Sequence, residues 1–275
     1  MILEISLLTG LIILVIAFFA EYIDSTLGMG YGTTLTPILL LMGFAPLQIV
    51  PAVLLSELFS GLFAAFLHHR IGNVHFDFRN DHEHRIKKKL GKLGYIPKSK
   101  ASKVVFALSL FSVIGTIAAV LVAVNIPKFY LNLYIGILVL LMGIIILIRH
   151  KKRNRFSWKK IIGLGAIASF NKGMSGGGYG PVVTAGQILS GLKSKAAIAI
   201  TSFAEGITCL VGVIAYLLVK SNINWVLAPF LVIGALLSVP LSAYTVKIIK
   251  TKKLTLIIGI VTICLGILTL VKLFS

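Results

Sequence analysis

The stretch Leu27-Gly28-Met29-Gly30-Tyr31-Gly32-Thr33 has a second copy in the same chain, Ser175-Gly176-Gly177-Gly178-Tyr179-Gly180-Pro181, 148 residues further on. The same offset pairs Thr36 with Thr184, Gly43 with Gly191 and Glu57 with Glu205 without a gap, so the two halves read as one repeated unit. With a slip of one residue, Asn73-Val74-His75-Phe76 also answers Asn222-Ile223-Asn224-Trp225. At least three glycines within five residues cannot continue a stable helix. Gly28 to Gly32 and Gly176 to Gly180 are therefore expected to be breaks, with new helices starting at Thr33-Thr34 and at Pro181, a residue suited to a first turn.

The chain around these breaks is apolar: 57% of its 275 residues are hydrophobic and only 13% are charged, with a mean hydropathy of +1.00. That composition excludes a water-soluble fold. A membrane-crossing helix needs about 20 apolar residues, and runs such as Val104 to Val124, Phe129 to Ile148 and Leu254 to Leu273 supply them. Ten apolar segments follow one another: 2–24, 33–43, 49–67, 104–124, 129–148, 160–171, 181–192, 196–219, 223–245 and 254–273. Ile2 to Ala20 lacks a basic leader and its continuation recurs in the second half, so it reads as mature structure. The segments 33–43 and 181–192 reach only about 17 Å as helix against a core of about 30 Å, and are expected to cross half-way. The fold class is thus an all-α polytopic membrane protein with about eight transmembrane helices and two half-crossing ones.

Twenty-seven basic residues against eight acidic ones give a net charge of +19, and their positions decide what it means. Ten lie between Arg70 and Lys103, seven between Arg149 and Lys160, Lys193 and Lys195 form a pair, and four run from Lys247 to Lys253. Clustering in loops on one side is the positive-inside pattern, which accounts for the charge without nucleic acid. Placing these clusters in the cytoplasm puts both termini outside, as in the cytoplasmic membrane of a prokaryote. Five segments per half then make residues 1–148, including a basic loop over 68–103, and residues 149–275 two repeats of inverted topology. Cys209 and Cys264 lie in apolar segments and indicate neither a disulfide nor a metal site.

Unwound backbone at membrane depth is tolerated where protein or a water-filled cavity surrounds it. Free amides and the positive end of the following helix then make each break a candidate anion site, lined by Gly28, Gly30, Tyr31 and Gly32 and by Gly176, Gly178, Tyr179 and Gly180. The alternative is that the glycines serve close helix packing. Asp24 stands where the second half has Lys172, the one basic residue placed inside the membrane. Lys172, aided by Asn171 and Ser175, is a counter-charge for an anionic substrate, or else half of a structural ion pair with a carboxylate such as Asp24. Glu57 and Glu205 each lie about nine residues into their segments, near the midplane. A desolvated carboxyl can load and release a proton, so Asp24, Glu57 and Glu205 are candidates for proton coupling, with a structural brace as the alternative. Glu21 adds less to that case.

Gly173-Met174-Ser175-Gly176 matches the Gly-x-Ser-Gly of intramembrane serine proteases, which need a general-base histidine on a later span. No histidine follows His150, so the chain is not read as an enzyme. Gly-Tyr-Gly also occurs in potassium filters, but the Thr-Val that precedes it there is replaced by Gly28-Met29 and Gly176-Gly177. His68, His69, His75, His82 and His84 lie in or beside the basic loop without regular ligand spacing, and no metal or cofactor is assigned. The partners expected are a small anion and the lipid bilayer, with a homo-oligomer allowed.

At the paired breaks, and at His69-Arg70-x-Gly72-x-Val74 after the third segment, the chain resembles the TauE/SafE sulfite exporter family of membrane permeases. The resemblance spans nearly the whole length. It implies about eight spans and movement of small sulfur-containing anions such as sulfite, sulfonates or sulfoacetate. The long basic loop from Arg79 to Lys103 departs from it as an insertion, and no substrate-binding residue is carried over. A secondary transporter working by alternating access follows. An anion channel and a membrane receptor or assembly factor without flux are the rival classes.

Overall fold

A computed structural model describes residues 6–80, 95–148, 157–189, 192–219, 223–248 and 252–274. Among them are ten helices: α1 Leu7–Leu27, α2 Tyr31–Leu41, α3 Pro46–Ile71, α4 Lys100–Asn125, α5 Lys128–Ile148, α6 Trp158–Ser175, α7 Tyr179–Leu189, α8 Ser194–Leu218, α9 Ala228–Ile248 and α10 Lys252–Phe274. Between α3 and α4, strands β1 Phe78–Asn80 and β2 Tyr95–Pro97 pair antiparallel, with Phe78 opposite Pro97. His82, His84, Gly191, Asn222 and all of the basic residues from 81 to 94 and 149 to 156 lie outside the described residues.

Local chemistry explains the helix ends. The Ser6 hydroxyl accepts the Thr9 N–H at 3.1 Å to cap α1, and Ser99 accepts the Ser102 N–H at 3.0 Å to cap α4. Pro46 opens α3, where a missing N–H costs nothing, and the Gln48 side chain accepts the Ala45 N–H at 3.0 Å. Asn224 Oδ1 accepts the N–H groups of Val226 and Leu227, both at 3.1 Å, in the turn before α9. At other ends a lysine serves: Lys272 Nζ donates to the Leu41 carbonyl at 2.8 Å, where α2 terminates.

Among the described residues six helices are long and apolar enough to cross a bilayer: α1, α3, α4, α5, α8 and α9. The 18 residues of α6 amount to about 27 Å, but its sequence includes Lys159, Lys160 and Lys172. The 23 residues of α10 amount to about 34 Å. At 11 residues each, α2 and α7 match the expected short segments. The breaks are narrower than the glycine pattern suggests, because Tyr31-Gly32 and Tyr179-Gly180 already belong to the first turns of α2 and α7. Pro181, expected to start α7, is its third residue and still within the turn whose amides have no helical acceptor.

Helix α3 packs along α8 at the centre, and their apolar windows are 67% and 72% buried, against 33% for α1 and 35% for α5. Around that pair, α1 lies along α9, α4 along α6 and α5 along α10. Small residues set the central spacing: a methyl on Gly61 would fall 2.8 Å from the Ser202 carbonyl, and one on Gly206 would fall 3.1 Å from Leu62 N. Ile114, Leu218, Leu237 and Phe274 point outward with more than half of their surface uncovered, as a lipid-facing belt requires.

Candidate functional site

The two breaks lie back to back. Helix α1 ends when Gly28 turns left-handed, φ 70°, with its N–H on the Asp24 carbonyl at 2.5 Å; α6 ends the same way at Gly176, φ 73°, on the Lys172 carbonyl at 2.8 Å. A Cβ on Gly32 would overlap the Gly176 carbonyl, and a Cβ on Gly180 would overlap that of Gly28. Thr36 Oγ1 donates to the Ser175 carbonyl at 3.1 Å, and Thr184 Oγ1 donates to the Gly28 carbonyl at 2.6 Å. Each short helix therefore satisfies a carbonyl that the opposite break frees. All residues from 24 to 33 and from 171 to 180 are buried, the setting in which unwound backbone survives at membrane depth. Close packing, one of the two roles open to these glycines, is thus met directly.

The expected site residues divide into two groups at this crossing. Asp24 Oδ1 accepts the Tyr31 N–H at 3.2 Å, so the start of α2 is capped by a carboxyl from its own half. The Tyr31 hydroxyl shares a hydrogen bond with Ser56 at 2.7 Å, and the rings of Tyr31 and Tyr179 are fully buried. On the second break Ser175 Oγ donates to the Asn171 carbonyl at 2.8 Å and accepts the Gly177 N–H at 3.2 Å. Tyr134 of α5 donates to Asn171 Oδ1 at 2.7 Å. Asn171 and Ser175 hold the bend of the second break in shape.

Lys172 stands where Asp24 stands in the first half and behaves differently. Its ammonium, 1% exposed, pairs with Glu57 Oε2 of α3 and with Glu205 Oε1 of α8 at 2.7 Å. The carboxylate suggested by sequence as its partner, Asp24, is instead engaged with the Tyr31 amide. The reason is the central crossing: α3 and α8 bring two glutamates of equal depth against the last turn of α6. Cys209 Sγ lies 3.9 Å from Glu57 Oε2 and completes the cluster. Sequence reasoning missed Cys209, Tyr134 and Ser56, which carry no motif. Thr36 and Thr184 were visible as a repeat pair, but their acceptors lie in the opposite half.

Two carboxylates around one ammonium, out of water, leave surplus negative charge that the low dielectric makes costly. An added proton removes the surplus and frees one hydrogen bond of the ammonium. The cluster is therefore one whose charge balance a single proton changes.

Buried titratable groups at the meeting point of two broken helices, inside a bundle of apolar helices with an apolar outer surface, mark a multi-pass membrane protein with a polar centre. A model of the sulfite exporter TauE/SafE family matches residues 13–79 and 93–269. The chain belongs to that family of membrane transporters. It is also similar to the probable membrane transporter protein YtnM of Bacillus subtilis strain 168, at 25% identity over 270 residues covering 94% of this chain and 81% of that one.

Proposed function

We propose that the protein is a proton-coupled secondary transporter that moves a small sulfur-containing anion, such as sulfite or an organosulfonate, across the cytoplasmic membrane of a prokaryote. The observation that carries this reading is Lys172, buried between Glu57 and Glu205. In this conformation the ammonium is occupied. Protonation of Glu57 or Glu205 releases it, the anion takes the place of a carboxylate, and proton and anion move together. The amide end of α7 adds to the attraction: its equivalent in α2 is capped by Asp24, whereas a lysine in that position has no acceptor to offer.

The two units are residues 1–148 and 149–275, of inverted topology, and alternating access is a rocking of one against the other about the crossed breaks. Packing supports this division, since exchanging the halves turns the α1–α9 contact into the α6–α4 contact and leaves α3–α8 and α5–α10 paired. Counting α6 and α10 as spans would give eight crossings with α2 and α7 as half-helices, and the positive-inside pattern of the basic loops supports an orientation with both termini outside. The description of the matching family, a sulfite exporter, supports a sulfur-containing anion as the substrate.

Proteoliposomes offered sulfite, sulfoacetate and chloride test the reading. Uphill uptake of sulfite or sulfoacetate driven by a pH gradient is expected. Passive anion current alone would make the protein a channel, and unchanged flux in Lys172→Ala would remove the site.

A further inference from the structure

Four of the eight acidic residues, Glu21, Asp24, Glu57 and Glu205, are buried in the bundle, and Glu21 is the one that the mechanism above does not use. It lies in α1, 1% exposed, where the corresponding residue of the second half is Ser169. Its Oε1 accepts the Ser25 hydroxyl at 2.5 Å, but its Oε2 has no hydrogen-bond partner among the described residues. The side chain of Ser60 faces Glu21 from α3, and Ser60 Oγ is unpartnered as well. Three positions earlier on the same face of α3 is Glu57, whose Oε2 holds Lys172 while its Oε1 is unpartnered. A fully buried polar atom without a partner costs about 1–3 kcal/mol, so three of them on neighbouring side chains of α1 and α3 call for a common explanation.

Resting on the proposed coupling, we infer that Glu21 and Ser60 relay the coupling proton to Glu57. A protonated Glu21 Oε2 donates to Ser60 Oγ, and the serine hydroxyl donates to Glu57 Oε1, so one proton satisfies all three atoms. In transfer, Ser60 gives its proton to Glu57 Oε1 and takes the proton of Glu21. Glu21 is left as a carboxylate, Ser60 unchanged, and Glu57 neutral with its hold on Lys172 released. The titratable groups around Glu21 are Asp24 on its own helix, Tyr31 of α2 and Glu57 of α3. Buried residues of the packed α9 include no titratable side chain, and Glu205 of α8 is engaged with Lys172. His68 of α3 closes the adjacent turn of α1 through Ser25 O at 3.3 Å. Glu21 and Ser60 are positioning residues for the proton and stay clear of the anion.

The test uses the full chain in proteoliposomes with radiolabelled sulfite, comparing wild type with E21Q, S60A and S60T. With one proton per anion, a gradient of one pH unit supports about tenfold accumulation, since one unit is 1.36 kcal/mol. E21Q and S60A are expected to lose that accumulation while keeping sulfite counterflow between equally acidic compartments, where Glu57 gains its proton without the relay, and S60T, which restores the hydroxyl, is expected to regain it. Tenfold accumulation by E21Q or S60A would overturn the relay, as would accumulation that follows a sodium gradient instead. Infrared spectroscopy supplies an answer that needs no substrate. The carbonyl band of a protonated buried carboxyl is expected in wild type and absent from E21Q, and an unchanged band in E21Q would overturn the relay. Loss of counterflow in K172A but not in E21Q separates the anion site from the proton path.

Discussion

The two glycine breaks share a backbone and differ in charge. Both helices that enter them end on a left-handed glycine, both are followed by a tyrosine that opens an 11-residue helix, and each is pressed against the other. At the equivalent position one carries Asp24 and the other Lys172. The aspartate turns inward on its own half and caps α2. The lysine cannot accept a hydrogen bond and draws in two glutamates from the central helices. On two breaks of like backbone, the reversal of charge leaves one break satisfied within its own half and ties the other to side chains of the central helices.

The largest effect is expected from Lys172→Met, which strands two buried carboxylates. Breaking a buried ion pair in this way costs about 3–5 kcal/mol, read as a fall in thermal unfolding temperature in detergent. Adding Glu57→Gln and Glu205→Gln removes the stranded charges and is expected to restore most of that stability without restoring sulfite transport. Recovery of transport in the triple variant would show that the cluster is structural and nothing more.

Where the breaks are alike, matched substitutions sharpen the comparison. Gly32→Ala and Gly180→Ala each push a methyl into the opposite carbonyl and are expected to cost about 1–3 kcal/mol apiece. A much smaller loss at one of them would show that the breaks are not equivalent in packing. Asp24→Ala uncaps α2 and is expected to cost about 0.5–2 kcal/mol, whereas Asp24→Asn keeps an acceptor and recovers most of it. The smallest effects belong to Thr36→Val and Thr184→Val, each losing one hydrogen bond across the crossing, about 0.5–1.5 kcal/mol. All six are read by the same unfolding measurement.

Hydropathy and glycine content act locally, which is why ten apolar segments and two breaks can be read directly from the chain and agree with the ten helices described. The exact width of a break is not local. Whether Gly30 or Gly32 ends it depends on where the Tyr31 amide finds its acceptor, and that acceptor is seven residues back in Asp24. The repeat offset brings Glu57 and Glu205 to equal depth, yet their meeting at Lys172 requires the crossing of α3 and α8, which no spacing within either helix encodes. Asn171 and Ser175 follow the same rule: beside a lysine they suggest a polar ligand pocket, and in the folded chain they brace the bend with Tyr134.

The most direct measurement is sulfite counterflow into vesicles containing the triple variant K172M/E57Q/E205Q, after its unfolding temperature has been shown to match wild type. Exchange at the level of empty vesicles is expected if the Lys172 ammonium receives the anion. Exchange at the wild-type rate would contradict that role and move the substrate away from the second break.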